Sequence, residues 1–236
     1  MNSEIQNISL LNLVIAFVPV IVVIVIIWKW QLDYKTSLYA VFRMLIQLLM
    51  IGYFLTFIFE SDSSWIVIAV LAVMLFSSSW IALRSVDKKR VLYISAFWSI
   101  LIGGGLVLIL VTQGVLGLDP WYLPSYMIPL AGMIFANSMN SVSLASERLA
   151  AEMNRDMAYE EARKVALRAS LIPITNSLFA VGLVSLPGMM TGQILSGVSP
   201  FIAARYQIMV MCMIFGSAGI SAALFLVLSK DKFIQS

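Results

Sequence analysis

Long apolar runs separated by short polar segments dominate this chain. Seven runs carry almost no charged residues, and a helix needs about 20 apolar residues to cross a bilayer core. Each run therefore predicts a membrane-spanning helix. The predicted spans are residues 8–28, 37–59, 64–83, 91–112, 121–144, 171–186 and 201–228. The sixth is short and contains Pro173, and the glycine-rich residues 188–199 that follow it are a candidate to dip back into the membrane.

Composition narrows the class of protein to one that is nearly all membrane. Hydrophobic residues make up 61% of the 236 residues and charged residues 11%, against about 25% in a soluble domain. So little polar surface excludes a soluble globular protein and a disordered chain. The single cysteine, Cys212, excludes a disulfide framework. The sequence therefore predicts an all-α polytopic integral membrane protein.

The positions of the basic residues predict how the seven helices are oriented. With the N-terminus outside, the cytoplasmic segments are 29–36, 84–90, 145–170 and 229–236. Fourteen of the fifteen Lys and Arg residues then lie in or next to these segments, and Arg205 is the exception. This matches the positive-inside rule and predicts seven spans in an N-out, C-in topology. The N-terminus has Glu4 and no basic residue, unlike a cleaved leader, so the first helix is expected to be retained.

Residues 145–170 form the largest hydrophilic segment of the chain. They include five acidic and five basic residues and no glycine or proline, a composition that favours helix. A segment of this length is too short to be an enzymatic domain. A short, charge-balanced cytoplasmic helix between spans five and six fits either a docking surface or a solvated connector, and both interpretations remain open.

Several motifs of enzymes and pumps are absent from the sequence. There is no GxxxxGK[ST] loop, so the chain cannot bind ATP in the P-loop manner. There is no histidine, and neither an HExxH nor a GxSxG motif occurs. No carboxylate lies in the middle of a predicted span, which disfavours a proton-driven carrier and an aspartyl intramembrane protease.

Amides and hydroxyls are the main polar groups inside the predicted spans. Arg43 and Gln47 share one face of the second helix at i, i+4 spacing. In the fifth span, Asn137 and Asn140 lie in the polar run 137–143. Buried amides are costly unless they are paired. They therefore either bond neighbouring helices or line a wet path, and exposure at the membrane interface is a third option.

The region after the sixth span also allows both a structural and a functional interpretation. Gly188 and Gly192 form a small-xxx-small pair, which fits close helix packing. The functional alternative is a broken or re-entrant element whose backbone and Gln193 face a translocation route. Met189 and Met190 are soft thioether donors that could contact a transition metal, although methionines in membrane chains are mostly core filler.

Three sequence stretches resemble one known family. Residues 128–140 read IPLAGMIFANSMN, residues 182–195 read GLVSLPGMMTGQIL, and residues 205–211 read RYQIMVM. The second span adds Arg43, Gln47 and Gly52 in the matching pattern. On these motifs the chain resembles the FetB-type ABC transporter permeases, which include bacterial iron exporters and plant permeases linked to aluminium tolerance.

The resemblance implies a function and a set of partners. It implies a single transmembrane domain over 1–236 that serves as the permease subunit of an ABC transporter. A separately encoded ATPase would bind ATP and Mg²⁺, two permeases would pair with two ATPases, and the chain itself would hold no cofactor and bind no nucleic acid. The expected setting is the bacterial inner membrane, with iron export, metal homeostasis and resistance to oxidative stress as roles. Another metal, a nucleotide sugar and a non-transporting scaffold remain alternatives.

The expected roles of individual residues follow from the polar positions and the resemblance together. For the substrate pathway we expect Gln47, Asn137, Asn140, Asn176, Met189, Met190 and Gln193. For contact with the ATPase we expect Glu147, Arg148, Glu160, Glu161, Ala162 and Arg163. Structural roles are expected for Arg43, Pro187, Gly188, Gly192, Arg205 and Gln207, and no metal ligand is assigned. The loop at 145–170 lacks an LGA-type element of the family, so it is shorter than the family pattern where the ATPase contact is expected.

Overall fold

A computed structural model describes residues 9–60, 63–86 and 89–234, apart from the side chains of Leu10 and Leu11. Throughout these residues the secondary structure is helical, and no strand forms among them. This confirms the all-helical prediction. The predicted start of the first span and three charged residues used for the orientation, Glu4, Asp62 and Lys88, lie outside the described residues. Contacts divide the chain into two compact units, up to Glu60 and from Ser61 onward.

The first unit consists of α1 (Leu10–Ile15), α2 (Val18–Lys29) and α3 (Tyr34–Phe59). The side chains of Ser9 and Asp33 cap α1 and α3 by accepting hydrogen bonds from backbone N–H groups 3.2 Å away. None of the described side chains of α2 and α3 is buried. Such apolar helices without a protein core of their own are typical of helices that face lipid.

The second unit consists of seven α-helices and one π-helical turn in the part of the chain that is described. They are α4 (Ser64–Ala82), α5 (Lys89–Ile109), the π-helical turn (Leu110–Val115), α6 (Pro124–Met153), α7 (Tyr159–Ala180), α8 (Gly188–Leu195), α9 (Pro200–Leu228) and α10 (Lys230–Ile234). α9 packs against α5, α6 and α7, and α6 also packs against α4 and α7. Fully buried side chains such as Ile100, Ile134 and Phe225 form the core between α5, α6 and α9.

Glycines in α5 allow the closest helix packing in the unit. A Cβ on Gly103 would lie 2.8 Å from the backbone nitrogen of Ser221 in α9, and one on Gly104 would lie 2.9 Å from Ile134 in α6. By contrast, no described atom lies within 4 Å of a Cβ placed on Gly188 or Gly192. Within the described chain this pair therefore makes no close contact with another helix, and the close packing that its spacing favours stays a prediction.

Five helical segments are long and apolar enough to cross a membrane. They are Asn12–Lys29, Tyr34–Phe59, Ser64–Ala82, Lys89–Val115 and Pro200–Leu228. They support a multi-pass membrane protein, and they correspond to the predicted spans one to four and seven. The other two predicted spans lie in α6 and α7. Pro129, Asn137 and Asn140 lower the hydropathy of α6, and α7 has five charged residues in its first half. The count of seven spans and the N-out, C-in orientation stay predictions.

The structure corrects the predicted boundaries between spans five and six. α6 continues past the predicted end at Leu144 to Met153, so no separate helix fills residues 145–170. The segment instead turns at residues 154–158, where Asp156 has a φ of 58°. α7 ends at Ala180, and residues 181–185 form a turn in which Gly182 has a φ of 82°. The last residues of the predicted sixth span are therefore not helical, because glycine readily takes this left-handed conformation and ends the helix.

Candidate functional site

The ends and middle sections of four helices surround one cavity in the second unit. Its volume is about 330 Å³, within the usual range for small-ligand sites. α6, α7, α8 and α9 all contribute side chains, and none of the lining residues carries a charge. We call it the amide–thioether cavity, and it is lined by Met133, Asn137, Ile174, Ser177, Val181, Ser185, Pro187, Gly188, Met189, Gln207, Val210, Met211 and Ile214.

A smaller cavity of about 90 Å³ lies beside it between α6 and α7. The two share Asn137, Ile174 and Ser177, so they are neighbouring parts of one recess. We call the smaller one the side cavity. Its lining residues are Asn137, Asn140, Ser141, Leu144, Ser170, Pro173, Ile174 and Ser177.

In the polar run of α6, the serine hydroxyls and the asparagine amides have different hydrogen-bond partners. Ser138 accepts a hydrogen bond of 3.2 Å from Ser221 of α9, and Ser141 donates one of 3.3 Å to the carbonyl of Ser170 in α7. Asn137 donates only to its own helix in the contacts described, from Nδ2 to the carbonyl of Met133 at 2.8 Å. The hydroxyls therefore bond neighbouring helices, whereas the amides of Asn137 and Asn140 border the cavities.

Gln207 brings a buried polar group to the wall of the amide–thioether cavity. Its side chain lies in the first half of α9 and is only 6% exposed. Among the described residues, no hydrogen-bond donor reaches its Oε1. A buried carbonyl without a partner is costly, and native proteins tolerate few such groups. A buried acceptor without a partner can bind a cation or accept a hydrogen bond from a group outside the chain.

The break between α7 and α8 closes one side of this cavity. Pro173 lies inside α7, and Ser177 donates a hydrogen bond of 3.0 Å back to the Pro173 carbonyl. The turn after α7 is held by the Gly182 N–H, which donates to the carbonyl of Ser185 at 2.9 Å. Pro187 then precedes the first residue of α8. The interrupted helix places Ser185, Pro187 and Met189 around the same space as α6 and α9.

The predicted pathway residues separate into three groups in the structure. Asn137 and Met189 line the amide–thioether cavity, and Asn140 lines the side cavity. Asn176, Met190 and Gln193 belong to α7 and α8 but line neither of these two cavities. Gln47 is exposed on α3 of the first unit.

Two methionines and a serine at the cavity were missed by sequence reasoning. Met133, Ser177 and Met211 line the cavity, yet single methionines and serines in apolar helices carry no distinctive signal. Spacing is the signal that could have found them. Met133 lies one helical turn before Asn137, and Met211 lies one turn after Gln207, so each shares a helix face with an amide.

The residues assigned structural roles have mixed environments. Arg43 and Arg205 are exposed in the described structure, on α3 and α9 respectively. Pro187 and Gly188 border the cavity, as Gln207 does, so these three lie beside the predicted pathway residues Asn137 and Met189. Gly192 is exposed on α8.

A second region of interest lies where α6 ends, α7 begins and α10 packs. We call it the charged end. A cavity of about 590 Å³ opens there, lined by Ser85, Val86, Glu147, Ala150, Ala151, Met153, Asn154, Asp156, Phe233 and Ile234. It joins the residues after α4, the end of α6 and the C-terminal α10. Two of its four polar lining residues, Asn154 and Asp156, belong to the exposed α6–α7 turn.

Ion pairs organise the α6 side of the charged end. The side chain of Glu152 is only 3% exposed, and its Oε1 lies 2.5 Å from the guanidinium of Arg148 and 3.5 Å from that of Arg155. A buried carboxylate needs such partners because removing it from water is costly. Glu152 was not singled out from the sequence, where it is one acid among many in a charged segment.

The α7 side is held by a second set of contacts. Glu160 pairs with Arg163 at 2.6 Å and with Lys230 of α10 at 3.3 Å, and Glu161 pairs with Lys164 at 2.8 Å. Both acids lie in the first turn of α7, where the helix dipole favours negative charge.

The hydroxyl of Tyr159 donates to the backbone carbonyl of Leu226 in α9. Burial raises the pKa of Tyr159, so its hydroxyl stays protonated and able to donate. The start of α7 is thereby tied to the end of α9.

The predicted ATPase contacts all lie at or near the charged end. Glu147, Arg148, Glu160 and Glu161 are exposed, and Arg163 is half-buried. Ala162 is fully buried by helix packing, so it has no surface to offer another chain. The set of residues available for such a contact therefore narrows to the five charged ones.

Comparison with known proteins identifies a family. The Uncharacterised protein family (UPF0014) matches this chain in two segments, residues 10–158 and 153–234. A UPF0014 membrane protein of Synechocystis is 39% identical over 75% of this chain and 74% of the relative. The "Probable iron export permease protein FetB" of Escherichia coli is 34% identical over all of this chain and 95% of the relative. The protein ALUMINUM SENSITIVE 3 of Arabidopsis thaliana is 32% identical over 88% and 81%.

The same comparisons show a difference in length. The alignment with FetB runs over 253 positions for 236 residues here, an excess of 17, so FetB carries residues that this chain lacks. The family match divides into two segments that overlap at residues 153–158, in the α6–α7 turn. This turn lies in the loop where the resemblance predicts missing residues, and the shortening of the loop stays a prediction. No solved structure matches this chain.

Proposed function

Because this chain belongs to the UPF0014 family of membrane proteins, we propose that it is the permease subunit of an ABC transporter that exports iron or a related metal. Its relative FetB is named as a probable iron export permease, and the similarity extends along the whole chain. The proposed setting is a bacterial inner membrane, with the charged end in the cytoplasm. Two copies of the chain would pair with two ATPases.

The observation that carries the proposal is the unpaired acceptor of Gln207 in an uncharged cavity. A buried amide oxygen without a partner costs stability, so an active role is the simplest reason to retain it. Asn137 adds a second amide to the same wall. We therefore place the cargo route through the amide–thioether cavity, and Met189 and the side-cavity residue Asn140 are part of it.

α6 connects this route to the charged end. Asn137 and Glu152 lie on the same continuous helix, about 22 Å apart at 1.5 Å per residue. Tyr159 holds the opposite end of α9 from Gln207. An ATPase that moves the α6–α7 turn would therefore shift two walls of the cavity together. In this mechanism Glu147, Arg148, Glu160, Glu161 and Arg163 receive the ATPase, and helix movement opens the cavity to alternate sides of the membrane.

The predicted shortening of the α6–α7 connection supports one competing function. If the missing positions are needed for coupling, the chain is a non-transporting membrane scaffold. A permease for another cargo, such as a nucleotide sugar or a different metal, would retain the coupling and change only the substrate.

Co-expression with an ABC ATPase encoded beside this gene tests the proposal. We expect the two chains to co-purify in detergent, and we expect iron-dependent ATP hydrolysis and ATP-dependent iron uptake by everted membrane vesicles. Charge reversal in Glu161→Arg should reduce the stimulation of ATP hydrolysis at least several-fold, because the residue is exposed at the proposed contact.

The matched control for this variant is Glu60→Arg. It reverses an exposed carboxylate on the first unit, outside the charged end, and should leave stimulation unchanged. A complex that forms without any transport of metal or nucleotide sugar would support the scaffold. Failure to form a complex with the ATPase would contradict the ABC assignment itself.

A further inference from the structure

The cavity at the charged end combines an apolar lining with acidic side chains. We call it the charged-end cavity, and its volume of about 590 Å³ lies within the usual range for ligand sites. Six of its ten lining residues are apolar. Two of the ten are ionisable, Glu147 and Asp156, and both are acidic. The lining as a whole is therefore apolar and negatively charged.

The two carboxylates are not neutralised by the described part of the chain. Arg148 follows Glu147 and Arg155 precedes Asp156, yet both arginines pair with Glu152 instead. Glu147 and Asp156 are exposed, and neither has an ion pair to another described residue. Both are therefore available to basic groups from outside the chain.

The apolar part of the lining is only partly covered. Val86 and Phe233 are buried, whereas Ala151 and Met153 are half-buried and Ile234 is 54% exposed. Removing such side chains from water contributes favourably to binding in proportion to the apolar area covered. A partner with apolar side chains of its own would therefore gain free energy by entering the charged-end cavity.

Other kinds of occupant fit this cavity less well. Two carboxylates would repel the anionic lipid headgroups of a cytoplasmic leaflet. A metal ion would find too few ligands, because among the described residues no group of three or more His, Cys, Asp or Glu side chains could hold one. A basic polypeptide segment with some apolar side chains matches both the charge and the apolar lining.

The position of the charged-end cavity agrees with a partner of this kind. Its lining includes Met153, Asn154 and Asp156, at the α6–α7 turn where the resemblance predicts missing residues. It also includes Glu147, one of the expected contacts with the ATPase. A shorter turn leaves the space uncovered, so that a segment of another chain can reach it.

We propose that the charged-end cavity receives a short basic segment of the partner ATPase. Lys or Arg side chains of that segment pair with Glu147 and Asp156, and its apolar side chains contact Ile234 and the buried lining. The inference rests on the proposed function, which names the ATPase as partner. It adds which surface of this chain the ATPase enters and which chemistry the entering segment must have.

Filling the space without changing its charge is the first test. Ala151→Trp places a large uncharged side chain in the cavity lining, so the purified variant in detergent should bind the ATPase encoded beside this gene at least tenfold more weakly. Ala40→Trp is the matched control, because Ala40 is an exposed alanine on α3 of the first unit. It should bind as the unaltered chain does, and thermal unfolding should show that both variants fold.

Reversing the two free charges is the second test, and it does not add bulk to the lining. The double variant Glu147→Lys, Asp156→Lys should also weaken binding at least tenfold at 50 mM salt, with a smaller effect at 500 mM because salt screens exposed pairs. Glu60→Lys reverses an exposed carboxylate of the first unit and should leave binding unchanged. A photoreactive benzophenone side chain in place of Ile234 should cross-link to an ATPase peptide that contains Lys or Arg.

The outcomes separate this inference from the proposed function. If the unaltered chain does not bind the ATPase, the proposed function fails and the inference fails with it. If the unaltered chain binds and Ala151→Trp or the double charge reversal binds equally well, the role of the cavity is overturned and the ABC assignment stands. A cross-link from position 234 only to lipid or to an acidic peptide would likewise overturn the basic segment alone.

Discussion

Two buried acceptors, Glu152 at the charged end and Gln207 at the amide–thioether cavity, have opposite surroundings. At the charged end, the buried carboxylate of Glu152 has two arginine partners and the Tyr159 hydroxyl has a backbone acceptor. In the cavity, the buried Oε1 of Gln207 has no donor among the described residues. Both regions belong to the same unit and share α6 and α7.

This difference predicts that substitutions in one region mainly affect stability and substitutions in the other mainly affect function. Paired buried groups contribute to the free energy of unfolding, whereas an unpaired one reduces it. We therefore expect substitutions at the charged end to destabilise the fold. Substitutions at the cavity should spare the fold and remove transport. Four variants test this contrast, beginning with the one that should have the largest effect.

Glu152→Gln should cause the largest loss of stability. It removes the charge that Arg148 and Arg155 share at the buried end of α6. Removing one partner of a buried ion pair costs about 3–5 kcal/mol, and because both arginines here can return to solvent we expect a smaller loss of about 1–3 kcal/mol. Thermal unfolding in detergent measures it. Glu161→Gln is the control, since that pair is exposed and should contribute less than about 0.5 kcal/mol. Equal losses in the two variants would contradict the role of burial.

Tyr159→Phe should cost about 1 kcal/mol, because it removes the hydrogen bond to Leu226. The raised pKa of Tyr159 adds a pH dependence. The folded state favours the protonated phenol. The contribution of the hydroxyl to the free energy of unfolding is therefore complete below the ordinary pKa of about 10 and is lost as pH rises through the higher pKa of the folded state. Unfolding midpoints from pH 8 to 11 should therefore converge for the variant and the unaltered chain. A difference between the two unfolding midpoints that grows as pH rises would contradict the raised pKa of Tyr159.

Gln207→Leu should leave stability unchanged or raise it by up to about 1 kcal/mol, since it removes an unpaired buried acceptor. Metal export should nevertheless fall. Ser221→Ala is the control on the same helix, because its hydroxyl is paired with Ser138 and its loss should destabilise by about 1 kcal/mol. Comparison of unfolding midpoints and vesicle transport for the two variants checks the contrast. If Gln207→Leu destabilises as much as Ser221→Ala, the acceptor is structural.

Lys230→Met should have the smallest effect, about 0.2–0.5 kcal/mol. Its ammonium lies 3.3 Å from Glu160 and 5.8 Å from the ring centroid of Tyr159, but about half of each charged side chain is exposed. Surface ion pairs contribute little and are screened by salt. The difference in unfolding midpoint should shrink between 50 mM and 1 M salt, where the Debye length falls to about 3 Å. A loss comparable to that of Glu152→Gln would mean that this contact closes the charged end.

Several parts of the site could be predicted because their residue types are conspicuous in apolar helices. Asn137 and Met189 were predicted for the pathway and border the cavity. Met133 and Met211 were not predicted, since a methionine in an apolar helix looks the same whether it faces a core or a cavity, and only its spacing from an amide distinguishes it. Glu152 was missed for the opposite reason, because burial of one acid within a charged segment depends on which face of α6 meets its neighbours.

The sequence alone determined that this is a helical, multi-pass membrane chain, because the length and polarity of an apolar run set the helix and its solvent. It also determined the family, through three local motifs. Only the tertiary structure decided that α6 runs on to Met153, that α7 breaks at Gly182, and that Met133, Met189, Met211 and Gln207 border one space. Those features depend on how distant helices pack, and helical periodicity specifies the faces of a helix but not the partner that each face meets.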